Sequence, residues 1–201
     1  MINLKIPEVK AFVKHVKQEC KANGIKVELR PANYVKLSGN IKCSGYFDEG
    51  EMKLVVSARN PQALEILVHE FGHFTQWVEK LPLWTKSGDS LSKVDDWLSG
   101  KNVRNIEKHM GMTRDLELDN EKRSVQIIKK FKLPIDTKEY TRRANAYVLF
   151  YTWMLHSRRW CSPNNTPYRN KTLLKACSTR FNMRYDELSP DMIEAFEKSG
   201  I

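Results

Sequence analysis

His69-Glu70-Phe71-Gly72-His73 sets two imidazoles four residues apart with a carboxylate beside the first, the pattern H-E-x-x-H. On a helix, residues i and i+4 share a face, so both rings can address one ion while Glu70 stays next to them. Neutral imidazole nitrogens suit zinc, which in catalytic sites keeps one position for water. Glu70 would take the proton from that water as it attacks a carbonyl. The surrounding segment, Pro61 to Lys80, reads as helical throughout. Leu64, Leu67, Val68, Phe71, Phe74 and Val78 gather on one side of a 3.6-residue wheel, with His69 and His73 opposite and Ile66 and Trp77 flanking them. A helix apolar on one side and bearing two His, a Glu and a Trp on the other fits the floor of a cleft. Gly72, unfavourable in a helix interior relative to alanine, points to a packing or close-approach need.

Three protein ligands are needed, and His109 and His156 are available. The stronger candidate is the stretch Asp115 to Phe131, which as a helix puts Glu117, Glu121, Ser124, Val125 and Ile128 on one face and Lys122, Arg123, Gln126 and Lys129 largely on the other. Two carboxylates among aliphatic residues are unexpected, because unpaired charge is costly to bury. A metal, or a metal-bound imidazole, would resolve that cost. Ion pairs to Arg or Lys from elsewhere are the plainer alternative.

These two blocks resemble the gluzincin branch of zinc metallopeptidases, in which two motif histidines and a downstream glutamate hold the metal. The resemblance implies Glu117 as the third ligand and Glu121, one turn later, as the acid that orients a ligand imidazole. The opposite assignment also fits, since Ser124 follows Glu121 at +3 as in some gluzincins. The interval from His73 to Glu117 (117 − 73 = 44) exceeds that of thermolysin-like enzymes. The longer string V-H-E-F-G-H-F-x-Q-W followed by L-E-L-D-N-E-K-R is also similar to small metallopeptidase-like proteins encoded by bacteriophages, over about Gly45 to Trp160. That similarity implies residence in a bacterial host cytoplasm.

The elements that must position these residues follow from pattern. Pro7 to Ala22 is a basic amphipathic helix with Val9, Phe12, Val13 and Val16 inward and Asn23-Gly24 as its stop. Ile25 to Arg30 alternates as a strand, a second strand spans Ile41 to Phe47, and Asp48-Glu49-Gly50-Glu51 turns into a third over Met52 to Ala58. The fold class expected is α+β. It resembles a minimal zincin-like core: a helix, a three-stranded mainly antiparallel sheet, the H-E-x-x-H helix and a Glu-bearing helix, followed by C-terminal helices. In such a core a strand edge borders the cleft and can hold an extended peptide by main-chain pairing. A single domain over 1–201 is expected, with an α/β half (1–80), a crossover (81–112) and a helical half (113–201).

Leu81 to Met112, with Pro82, Gly88, Gly100 and Gly111, reads as a long crossover carrying one or two short helices. Trp84 and Trp97 in it suit a packed lid or substrate-facing wall, or equally a plug beneath the loop. Thr137 to Trp160 reads as a long helix with Tyr140, Ala144, Tyr147, Tyr151 and Met154 at helical spacing. A phenol or imidazole near zinc would stabilise a developing oxyanion, which makes Tyr147, Tyr151 and His156 candidates for catalysis. A further helix is expected near Lys171 to Phe181, and Ser189 caps a last one that opens on Pro190.

Composition bounds the rest. A chain of 201 residues, 41% hydrophobic and 10% aromatic, can bury a sizeable core. No run approaches the roughly 18 apolar residues of a membrane helix, and the start lacks a secretory leader's pattern. Cys20, Cys43, Cys161 and Cys177 are scattered, without C-x-x-C spacing, and read as free thiols in a reducing cytosol. The net charge of +10 can attract nucleic acid, though no nucleic-acid motif accompanies it and a solvated basic surface is the plainer reading. Arg158-Arg159-Trp160 is the cluster best suited to grip phosphate and stack on a base. The function expected is zinc-dependent hydrolysis of a peptide bond in a protein substrate. The alternatives are a nucleic-acid-associated protein and a catalytically silent zincin-fold interaction protein.

Overall fold

A computed structural model describes residues 2–37 and 42–201. The protein is α+β and forms two compact units. Unit 1 comprises Met1–Leu81 with Arg123–Ile135, and unit 2 comprises Pro82–Lys122 with Asp136–Ile201.

Unit 1 opens with helix α1 (Pro7–Ala22), whose first residue is the proline that a helix tolerates at that position. Strands β1 (Lys26–Arg30), β2 (Val35–Lys36), β3 (Lys42–Cys43), β4 (Gly45–Asp48) and β5 (Lys53–Ser57) follow, then helix α2 (Ala63–Val78). The main sheet has the order β1-β5-β4. Its central strand is buried from Leu54 to Ser57, which is why that segment reads as a continuous apolar run rather than an alternation. β4 and β5 form a hairpin in which Gly45 faces Val56 and Asp48 faces Lys53, and Asp48 Oδ1 accepts from the Glu51 amide at 2.9 Å inside the turn.

β1 runs parallel to β5, with Lys26 beside Lys53 and Arg30 beside Ser57, so the sheet is mixed rather than mainly antiparallel. Period-two alternation specifies which face is buried and says nothing of strand direction. The chain between β1 and β5 is long enough to return to the starting end, which a parallel pair requires. The expected second strand is broken at Ser44 into β3 and β4. β3 pairs with β2 in a separate two-stranded sheet, and Ile41 lies outside the described residues.

The core of unit 1 joins Val9, Phe12, Val13, Val16 and Cys20 of α1 to Leu54, Val55 and Val56 of β5 and to Leu67, Val68, Phe71 and Phe74 of α2. Phe12 meets Phe71 edge-on at 5.9 Å, and Phe71 stacks on Phe74 at 5.4 Å. Val78, expected on this inner side, is the last residue of α2 and is 39% exposed.

Unit 2 begins with helix α3 (Pro82–Leu98), a 17-residue helix where a crossover with short helices was expected. Its inward face is Ser87, Ser90 and Val94, at helical spacing but too polar to register as an amphipathic stripe. Ser87 Oγ donates to the Met112 carbonyl at 3.2 Å, and Ser90 Oγ lies 3.1 Å from His109 Nδ1. Helix α4 (Ile106–Lys130) is continuous over 25 residues, its first part in unit 2 and its last turns in unit 1. Helix α5 (Thr137–Ser157) starts at Asp136, whose carboxylate accepts from the Lys138 and Glu139 amides, and stops at Arg158 in the left-handed region (φ 49°). Helices α6 (Lys171–Ala176) and α7 (Pro190–Ser199) are capped by Asn170 and Ser189; α6 is shorter than the expected Lys171 to Phe181.

Leu149, Phe150, Met154, Leu173 and Phe196 centre this unit's core, and Trp153 stacks on Phe196 at 5.1 Å. Trp97 packs against the same core beneath the Arg158 guanidinium, 5.0 Å from its ring centre. Arg158 also donates to the carbonyls of Trp97 and Lys101, and Arg159 to that of Ile201, so the basic pair beside Trp160 is engaged in closing loops.

Candidate metal centre

Helix α2 carries H-E-x-x-H one turn per imidazole. The rings of His69 and His73 sit edge to face with centres 4.8 Å apart. His73 Nδ1 lies 2.9 Å from Oε1 of Gln76, one turn further on. An amide oxygen only accepts, so Nδ1 is the donor in this contact. Gln76 itself is wholly buried. Sequence reading missed it; the signal available was a polar side chain three residues after the second histidine.

Glu70 is 8% exposed, and β4 lies directly against it. A Cβ added at Gly45 would come within 2.6 Å of Ile66 Cγ2, 2.9 Å of the Val55 carbonyl oxygen and 3.4 Å of Glu70 Cγ. Only glycine lets the strand approach the helix this closely. β4 is an edge strand of its three-stranded sheet. Cys43, just before it, has a thiol pushed up to about 11 by burial and further by the charge of Glu70, against a backbone hydrogen bond at Gly45 that pulls the other way. The thiol is therefore protonated at neutral pH.

The third donor comes from α4. A ligand atom from each of His69, His73 and Glu117 lies within 4.8 Å of the other two, and all three residues are half-buried, so together they could hold a metal ion. Two imidazole nitrogens and a carboxylate oxygen are a zinc-type donor set.

Glu121, one turn along α4, stands outside this group. It is 5% exposed, and its Oε2 accepts from the Tyr140 hydroxyl at 2.6 Å. Tyr147 and Tyr151 on α5 place their hydroxyls 3.0 Å apart. Burial pushes both phenols well above the ordinary tyrosine range, and the charge of Glu117 raises each further. Both therefore keep their protons and remain donors. His109 faces Ser90, as described above. His156 is exposed, stacks on Trp153 at 5.8 Å and lines a cavity of about 530 Å³ with Arg114, Thr152 and Leu188. His15, the fifth histidine, sits 3.8 Å from Glu19 and packs on Phe71 and Phe131.

Compared with family models, with curated proteins and with solved structures, the chain matches none. The functional reading rests on the residues and their geometry.

Proposed function

We propose that this protein is a zinc-dependent metallopeptidase of the gluzincin kind, hydrolysing a peptide bond in a protein or peptide substrate. The observation that carries the proposal is the convergence of His69, His73 and Glu117 within 4.8 Å, with Glu70 fixed on the same turn of helix as the first histidine.

A zinc ion at these donors supplies a Lewis acid that polarises a carbonyl and makes water a nucleophile at neutral pH. The chain's own residues do the rest. Gln76 Oε1 orients His73 by accepting a hydrogen bond from Nδ1–H at 2.9 Å, which leaves Nε2 for the metal. The Glu70 carboxylate accepts the proton lost by the attacking water and returns it to the leaving amine. The edge of β4, pressed against Glu70 through Gly45, offers main-chain groups that pair with an extended peptide. Tyr147 and Tyr151, protonated across the physiological range, are the donors assigned to the developing oxyanion.

The test is metal content by mass spectrometry on the purified protein, on His73→Ala and Glu117→Ala, and on Glu70→Gln, paired with cleavage of a peptide library. Expected are near-stoichiometric zinc in the parent, its loss in the two ligand variants, and retained zinc in Glu70→Gln. Cleavage by Glu70→Gln should fall by about 10²–10⁴-fold, the usual contribution of a general base. A parent that takes up no zinc after reconstitution would sink the proposal. Zinc binding with no cleavage of any peptide would favour a silent interaction protein.

A further inference from the structure

Helix α1 presents a second surface, unconnected with the metal centre in sequence or chemistry. Lys10, Lys14, Lys17 and Lys21 are all exposed and recur at intervals of four, three and four residues. At roughly 100° per residue they fall within an arc of about 60°, and at 1.5 Å per residue they span about 16 Å of helix. Same-sign neighbours at these spacings oppose helix formation. None of the four makes an ion pair among the described residues. The acids of α1, Glu8 and Glu19, lie roughly 160° round the helix from the stripe. Glu19 is turned to His15 instead, 3.8 Å away. The charges are thus segregated: a pure lysine row on one flank, both carboxylates on the other.

We infer that this row binds the phosphate backbone of double-helical nucleic acid. Three features choose that partner. First, the row is straight, rigid and about 16 Å long, and a duplex presents one negative charge per roughly 1.7 Å of its axis. Second, the residues that flank the row on the exposed face are Pro7, Ala11 and Gln18, so no aromatic ring offers the stacking platform that single strands use. Third, the apolar face of α1 is fully committed to the core. Val9, Phe12, Val13, Val16 and Cys20 are at most 5% exposed. A helix that lies in a membrane surface needs such a face free to enter the lipid. The net charge of +10 adds long-range attraction of the same sign.

The experiment is fluorescence anisotropy of a labelled DNA duplex of about 20 base pairs, titrated with the full chain across a salt series. Two triple variants are compared with the parent, each removing three lysine charges from unit 1. One is Lys10→Gln, Lys14→Gln, Lys17→Gln; the other is Lys129→Gln, Lys130→Gln, Lys132→Gln, at exposed positions outside α1 and outside the row. Thermal midpoints establish that both remain folded. The α1 variant should lose at least about tenfold in affinity at low salt, and its log-log salt slope should shrink by about 2.7, near 0.9 for each phosphate no longer neutralised. The other variant should change the slope by less than half as much. Equal losses in the two variants would overturn the inference, as would absence of duplex binding at low salt. Tighter binding to an unpaired strand, or to phosphatidylserine vesicles, would overturn the choice of a duplex partner.

Discussion

Gln76 meets the ring of His73, one of the two imidazoles proposed as metal ligands. A histidine bound to a metal through Nε2 is held best when its other nitrogen donates to a fixed acceptor, and here the acceptor is an amide with no exposure to solvent. Gln76→Leu keeps the volume and removes the oxygen. Zinc affinity, measured by competition with a chromogenic chelator, should fall about 10–100-fold, while the far-ultraviolet circular dichroism stays that of the parent. Unchanged affinity would mean that helix geometry alone orients His73. The two glutamates of α4 divide in a comparable way. Glu117 has an oxygen in the three-residue group, and Glu121 is held by the Tyr140 hydroxyl.

At the scale of elements, the contact between β4 and α2 is the most demanding. Gly45 stands opposite Val56 in the hairpin and against Ile66 and Glu70 of the helix. A methyl group there would sit 2.9 Å from a backbone carbonyl that cannot rotate away. Gly45→Ala should therefore cost about 1–3 kcal/mol of unfolding free energy by denaturant titration, the usual range for overpacking. In an Ile66→Ala background the cost should shrink, because the nearest obstructing atom, Ile66 Cγ2 at 2.6 Å, is then gone. Additive costs would show that the strand shifts as a whole to admit the methyl group. α3 teaches a different lesson. Its serines form hydrogen bonds inward, so the helix is packed without the apolar periodicity by which a buried face is usually read.

For the whole molecule, the proposed metal site would link ion binding to folding. An ion bound only by the folded chain adds about 2.7 kcal/mol at a hundred times its dissociation constant. Zinc should accordingly raise the thermal unfolding midpoint, and a chelator should reverse the rise. His73→Ala and Glu117→Ala should each abolish it, since their donors belong to the same group. A rise that persists in both variants would place the ion elsewhere. Among the described residues no helix is long and apolar enough to cross a membrane. All four cysteines are free thiols, with Cys20 and Cys177 buried.

The sequence by itself determined what is local. Pro7 and Asn23 bound α1, Ser189 and Pro190 open α7, and the four-residue interval puts His69 and His73 on one helix face, because helix periodicity and capping act over one or two turns. The stretch Met52 to Ala58 read as a strand, and β5 lies within it. Only the tertiary structure decided that β1 runs parallel to β5, since alternation carries no direction. It also gave a group of three residues, His69, His73 and Glu117, that could hold a metal ion. The approach of Gly45 to Glu70 likewise depends on the sheet. Periodicity reaches a few residues along the chain; packing sets distances between segments that share no local signal.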